Sequence, residues 1–218
     1  MPLKDRGPFH FVQVSVGGLP PIEALFDLGN GGNLNLPSDY WSKQPALSKL
    51  RYAESQIGGV GGISASRSVT YPDVAFAGQH FANVPGHLGP DSRGNDPAHG
   101  SNLGIGMLKP FKVVLDLRNS RLFLTPLANP PAFPRERAGI RAQLDGDALK
   151  VMFVSPQGPG HAAGLRAGDR ITSIDGRKVN PTLHAGAQAE WARQAAGTKI
   201  SMALADGRTI AFVLADFF

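Results

Sequence analysis

Residues 24–32 read Ala-Leu-Phe-Asp-Leu-Gly-Asn-Gly-Gly, an apolar run that delivers one aspartate, Asp27, into a glycine-rich turn. A short apolar run closed by glycines suits a strand and leaves too little length for a helix. The strand before it is Phe9–Val16, whose alternation fits a half-buried position. Gly17-Gly18-Leu19-Pro20-Pro21 then turns the chain back into Ile22–Phe26. A counterpart lies downstream, where Asn102-Leu103-Gly104-Ile105-Gly106-Met107-Leu108 again combines apolar residues with glycine. The paired strands Phe111–Leu117 and Arg121–Leu124 follow it.

Short strands and turns are expected throughout, because 27 glycines and 18 prolines are spread widely over 218 residues. The fold class expected is therefore mainly β. The absence of cysteine excludes disulfides, thiol catalysis and cysteine-bound zinc. A formal charge of +5 is modest, and basic residues are not bunched with aromatics, so no nucleic-acid partner is expected. No apolar stretch approaches the ~20 residues of a membrane span. The polar start Met1-Pro2-Leu3-Lys4-Asp5-Arg6 lacks the pattern of a signal peptide. Two compartments stay open: the cytoplasm, or export (periplasmic or secreted) if the chain is a segment of a longer precursor.

The Asp27 loop and its downstream counterpart together resemble one lobe of a retropepsin-like, pepsin-type aspartyl protease. The resemblance implies that Asp27, Gly29 and Asn30 form the catalytic loop, with Leu28, Leu103 and Gly104 supporting it. It also places a flap over the substrate at Gly59, Val60 and Gly61, within the glycine-rich stretch Ile57–Ile63. A glycine-rich hairpin turn explains that stretch equally well. Aspartic proteolysis needs two carboxylates sharing one proton around a held water, and this chain supplies one such loop. The second acid then comes from a homodimer partner or from a separate second lobe. No metal or organic cofactor is implied. One departure from the family stands out: Leu28 occupies the place of a Thr or Ser whose hydroxyl bonds across to the partner loop. Asn30 and Asn102 depart too, and either can supply replacement hydrogen bonds. Asp27 reads alternatively as a loop aspartate that caps local backbone in a degenerate lobe.

Asn129-Pro130-Pro131-Ala132-Phe133-Pro134 breaks the chain, and the sequence beyond it changes character. Ala148–Val154 reads as an apolar strand, and Ser155–Gly160 as a loop. Residues 161–176 contain Ala-Gly-Leu, two residues, Gly-Asp, then Ile-x-x-Ile-Asp-Gly. This resembles the PDZ domain of bacterial proteases. The resemblance makes Ala138, Gly139, Ile140 and Arg141 the loop that grips a peptide carboxylate, with Arg137 and Arg141 making its entrance electropositive. Leu183, Ala187 and Trp191 repeat at helical spacing on a helix expected near Thr182–Ala196, and a final hairpin turns at Asp206-Gly207.

The domains expected are thus a retropepsin-like aspartic protease lobe at 8–128, a proline-rich linker at 129–134 and a PDZ domain at 135–218, a partly open barrel or β-sandwich with two helices. A helix is expected within Ser38–Leu50, capped by Ser38, and Gly86–Gly100 reads as an exposed polar loop. His87, Asp91, Asp96 and His99 in that loop follow no ligand spacing, so no metal is assigned. The function expected is an aspartic-type endopeptidase lobe that recruits peptide or protein C-termini through its PDZ domain. The competing class is a non-catalytic binding protein built on a degenerate protease lobe. Gly29-Asn30-Gly31-Gly32 also faintly matches a serine-protease loop, but it lacks the nucleophilic serine.

Overall fold

Alternation in the sequence becomes alternation in burial. In β2 (Phe9–Val16), Val12, Val14 and Val16 face the core while Gln13 stays in solvent. In β3 (Ile22–Asp27), Ala24, Leu25 and Phe26 are all buried, as the unbroken apolar run predicts. The computed structural model describes residues 1–59, 62–90, 100–180 and 188–218. These divide into two units, Met1–Tyr52 with Ser66–Pro134, and Ala53–Ala65 with Arg135–Phe218. The fold is mainly β.

The first unit adds β1 (Lys4–Arg6), β4 (Leu34–Leu36), β6 (Gly62–Phe76), β7 (Gln79–Leu88) and β8 (Asn102–Gly104) to β2 and β3. Among the described residues, its strands lie in the order β1-β2-β3-β8-β4-β7-β6. β6 also pairs with β2, from Val14↔Phe76 to Val16↔Val74, which closes the strands into a ring. The ring encloses a core that includes Val14, Leu34, Leu36, Val69, Tyr71, Val74, Leu103 and Met107. A separate two-stranded sheet pairs β9 (Phe111–Asp116) with β10 (Arg121–Pro126). Phe111 packs edge-on against Phe76 and Phe81, and Phe81 against Phe133 of the proline-rich segment.

Two local expectations need correction. The single helix expected within Ser38–Leu50 is two short ones, α1 (Ser38–Trp41) and α2 (Pro45–Ser48). Pro45 cannot donate an N–H within a continuing helix, so it begins a new one. Ser38 is the first helical residue rather than the cap, and the Pro37 position caps α1 without a side-chain bond. His87 lies in β7 rather than in a polar loop; it is half-buried, and desolvation lowers its pKa to about 4. Asp91, Asp96 and His99 lie outside the described residues. Beyond β8, Ile105–Leu108 forms a 3-10 turn.

The second unit contains β11 (Ile140–Asp145), β12 (Ala148–Val154), α3 (Pro159–Ala162), β13 (Arg170–Ile174), β14 (Arg177–Lys178), α4 (Gln188–Trp191), β15 (Lys199–Leu204) and β16 (Thr209–Val213). Its sheet runs β11-β12-β13-β15-β16, with β14 paired to β13. Leu149, Val151, Leu165, Ile171, Ile200, Met202 and Leu214 are buried at its core. The loop expected at Ser155–Gly160 folds at its end into α3. Of the helix expected near Thr182–Ala196, residues 188–196 are described: α4 ends at Trp191, short of Ala196, with turns following it, and Leu183 and Ala187 lie outside the described residues. Ala53–Ala65 belongs to this unit, and the Glu54 N–H donates to Gln157 Oε1 at 3.1 Å.

Candidate functional site

β3 ends on Asp27 and runs parallel to β8 in the register Leu25↔Asn102, Phe26↔Leu103, Asp27↔Gly104. That register sets the side chain of Asn102 beside the carboxylate of Asp27. Asn102 Nδ2 donates to Asp27 Oδ2 at 2.8 Å, and the Gly29 N–H donates to Asp27 Oδ1 at 2.8 Å. The relay continues outward. Asn30 Nδ2 donates to Asn102 Oδ1 at 2.6 Å, and Asn30 Oδ1 accepts the Gly32 N–H at 2.8 Å. The two asparagines therefore orient the half-buried carboxylate and tie its loop to β8.

Glycine is required where β8 meets that loop. A Cβ on Gly104 would lie 2.7 Å from Asn30 O and 2.8 Å from Asn30 Cγ, and closer still to Gly32 O. The absence of a side chain lets three backbone bonds form across the contact. The N–H groups of Gly104, Ile105 and Gly106 donate to the carbonyls of Asn33, Asn30 and Gly32 at 2.7, 2.9 and 2.8 Å. Leu103 supports the loop from within the core, where it is fully buried. Asn33, which the sequence reading passed over, is 3% exposed and anchors the far end: its Nδ2 donates to Pro85 O at 2.8 Å and to Pro134 O at 3.2 Å. Only its position in a glycine-asparagine cluster hinted at this.

Asp27, Leu28, Gly29, Asn30, Leu103 and Gly104 thus gather at one strand end. Leu28 takes no part in the hydrogen bonding that a hydroxyl would make; it is 52% exposed. Ile105, one residue beyond the partner of Asp27 in β8, is 43% exposed. Each Asp27 oxygen accepts one N–H, whereas a carboxylate offers about four acceptor sites. Acceptor capacity therefore remains for a water or a second acid. Of the flap residues, Gly59 ends β5 (Tyr52–Gly59), while Val60 and Gly61 lie outside the described residues. Among the described residues, no group of three or more His, Asp or Glu side chains could hold a metal ion.

The second candidate site is the loop before β11. Gly139 adopts φ +74°, a left-handed conformation that favours glycine, and a Cβ there would meet Gly158 Cα at 2.8 Å. The Ser155 N–H donates to Gly139 O and the Gly160 N–H to Ala138 O, so the loop is braced from behind. Its own N–H groups turn toward Glu136. The Ala138 N–H donates to Glu136 Oε1 at 2.8 Å, and the Gly139 N–H reaches Oε1 at 3.0 Å and Oε2 at 2.8 Å. Burial pushes this carboxyl up to about 7, against the opposing pull of the Gly139, Ala138 and Ile140 N–H groups and of Arg193.

The two arginines expected at this entrance behave differently from expectation. Arg137 Nε donates to Asp216 Oδ1 at 2.7 Å, and its Nη1 donates to the carbonyls of Arg193 and Gln194. It is a brace, with its charge matched. Arg141 Nη1 is buried without a hydrogen-bond partner, and its guanidinium lies against Gly58. Glu136 was passed over in the sequence because its role arises from a side chain folding back on the next residues, which no spacing rule registers.

No curated protein matches the chain. A retropepsin-like aspartic protease from Rickettsia conorii is similar in structure, with 21% identity, 57% of this chain and 95% of that chain covered, and a TM-score of 0.43. Residues 150–206 match the family model of the PDZ domain.

Proposed function

We propose that this chain is an aspartic-type peptidase half-site carrying a peptide-binding PDZ domain, with Asp27 one member of an acid pair that a second copy completes. The observation that carries the reading is the Asp27–Asn102–Asn30 relay, which holds a carboxylate at a strand end with acceptor positions unused. Two such carboxylates brought together cannot both ionise. One keeps a proton and polarises the scissile carbonyl, while the other takes a proton from the attacking water. The hydroxyl that Leu28 lacks is replaced within each copy by the two asparagine amides. Exposed Leu28 and Ile105 flank the carboxylate and supply apolar surface for the second copy. The PDZ domain holds an extended peptide as an added strand.

A second reading, a non-catalytic peptide-binding protein, is favoured by the PDZ match, which stands without any contribution from Asp27. Incubation of the chain and of Asp27→Asn with a diverse peptide library, from acidic to neutral pH, separates the two. Cleavage detected by mass spectrometry and lost in the variant supports the peptidase. Equal silence from both leaves the binding protein.

A further inference from the structure

A PDZ carboxylate loop works by pointing successive backbone N–H groups at the end of a peptide. In this chain those donors already have an acceptor. Glu136 lies two residues before the loop, and its side chain folds back so that both carboxylate oxygens sit on the Ala138 and Gly139 N–H groups. The Ile140 N–H pulls on the same carboxyl. These are three of the four positions, Ala138, Gly139, Ile140 and Arg141, that the resemblance assigns to gripping a peptide carboxylate.

We infer that Glu136 is a built-in occupant of the carboxylate loop, so that the PDZ domain takes internal extended segments of its target rather than free C-termini. The inference rests on the peptide-binding reading above and narrows its substrate class. An incoming carboxylate would have to displace Glu136 from bonds of 2.8–3.0 Å, or stack a second negative charge against it. Arg193, the cation that acts on Glu136, already offsets the first charge, and Arg137 is matched by Asp216. An internal segment needs none of these donors. It needs a strand edge, and β11 has one: in the described sheet β11 pairs with β12 alone. The loop also lacks slack to open a second pocket, because Gly158 and Ser155 pack directly behind Gly139.

The probe is a library of decapeptides synthesised in two forms of identical sequence, one ending in a free carboxylate and one in a carboxamide. Affinities for the full chain are measured by fluorescence polarisation near pH 8, where Glu136 is ionised. The result expected is that the best binders show acid and amide affinities within about twofold of each other, and that Glu136→Ala, which removes the occupying oxygens, creates a preference of about tenfold or more for the acid. A wild-type preference of about tenfold for the carboxylate overturns the inference and leaves the peptide-binding reading intact. Absence of binding by either form overturns both. The wild-type comparison decides the matter by itself if the variant fails to fold.

Discussion

Replacing Gly104 by alanine probes how tightly the Asp27 loop is locked to β8. The added methyl would stand 2.7 Å from Asn30 O and 2.8 Å from Asn30 Cγ, and these are the loop's backbone and a hydrogen-bonded amide rather than free side-chain ends. Relief requires the loop and β8 to separate by about 1 Å, given carbon–oxygen contacts of about 3.4 Å or more. Overpacking of this kind costs about 1–3 kcal/mol. The three backbone bonds from Gly104, Ile105 and Gly106 lengthen with it, at about 1 kcal/mol each if lost. Partial loss brings the expected total to about 3 kcal/mol. The assay is urea unfolding followed by Trp41 fluorescence in a Trp191→Phe background, which leaves one tryptophan, in the first unit. Gly31→Ala is the control, since nothing lies within 4 Å of a Cβ there, and it is expected to change stability by under about 0.5 kcal/mol. A Gly104→Ala midpoint indistinguishable from the control would refute the close-approach reasoning.

Asn102→Ala removes both the donor to Asp27 and the acceptor for Asn30, and is expected to destabilise the first unit by about 2 kcal/mol in the same assay. Glu136 makes the second unit pH-sensitive. Its folded value of about 7 exceeds the ordinary 4.5, so between these the folded state binds more protons than the unfolded one. Stability is therefore expected to fall as pH rises from about 4.5 to about 7 and to level off above, by at most ~3 kcal/mol. Trp191 fluorescence in a Trp41→Phe background follows this transition, and Glu136→Gln should flatten the slope. Arg67 stacks over Tyr52 at 4.4 Å and Trp41 at 5.0 Å, so Arg67→Ala is expected to cost about 1 kcal/mol and to shift the Trp41 emission.

What the sequence made legible was local. The run into Asp27 reads as a strand because its apolar residues and the following glycines are contiguous, and the β9–β10 and β15–β16 hairpins carry their own turns. The PDZ motif is likewise one uninterrupted stretch. What escaped was set by tertiary pairing. Asn102 meets Asp27 across 75 residues because β8 inserts between β3 and β4, an order that no periodicity encodes. His87 sits in a segment of polar and turn-forming residues, yet pairing of β7 with both β4 and β6 holds it in a strand and half-buries it. Glu136 was invisible for the opposite reason: its partners are two and three residues away, but they are backbone groups whose direction depends on the positive φ of Gly139.

The reading of Asp27 as half of a shared acid pair is tested most directly by mixing. Wild-type chain and Asp27→Asn are combined in varying ratio at constant total concentration, and peptide cleavage is followed by mass spectrometry. If each site takes one Asp27 from each of two copies, the rate falls as the square of the wild-type fraction, to roughly one quarter at an equal mixture. A linear fall, to roughly one half, would contradict the two-copy site. Cleavage that survives in pure Asp27→Asn would contradict the role of Asp27 itself.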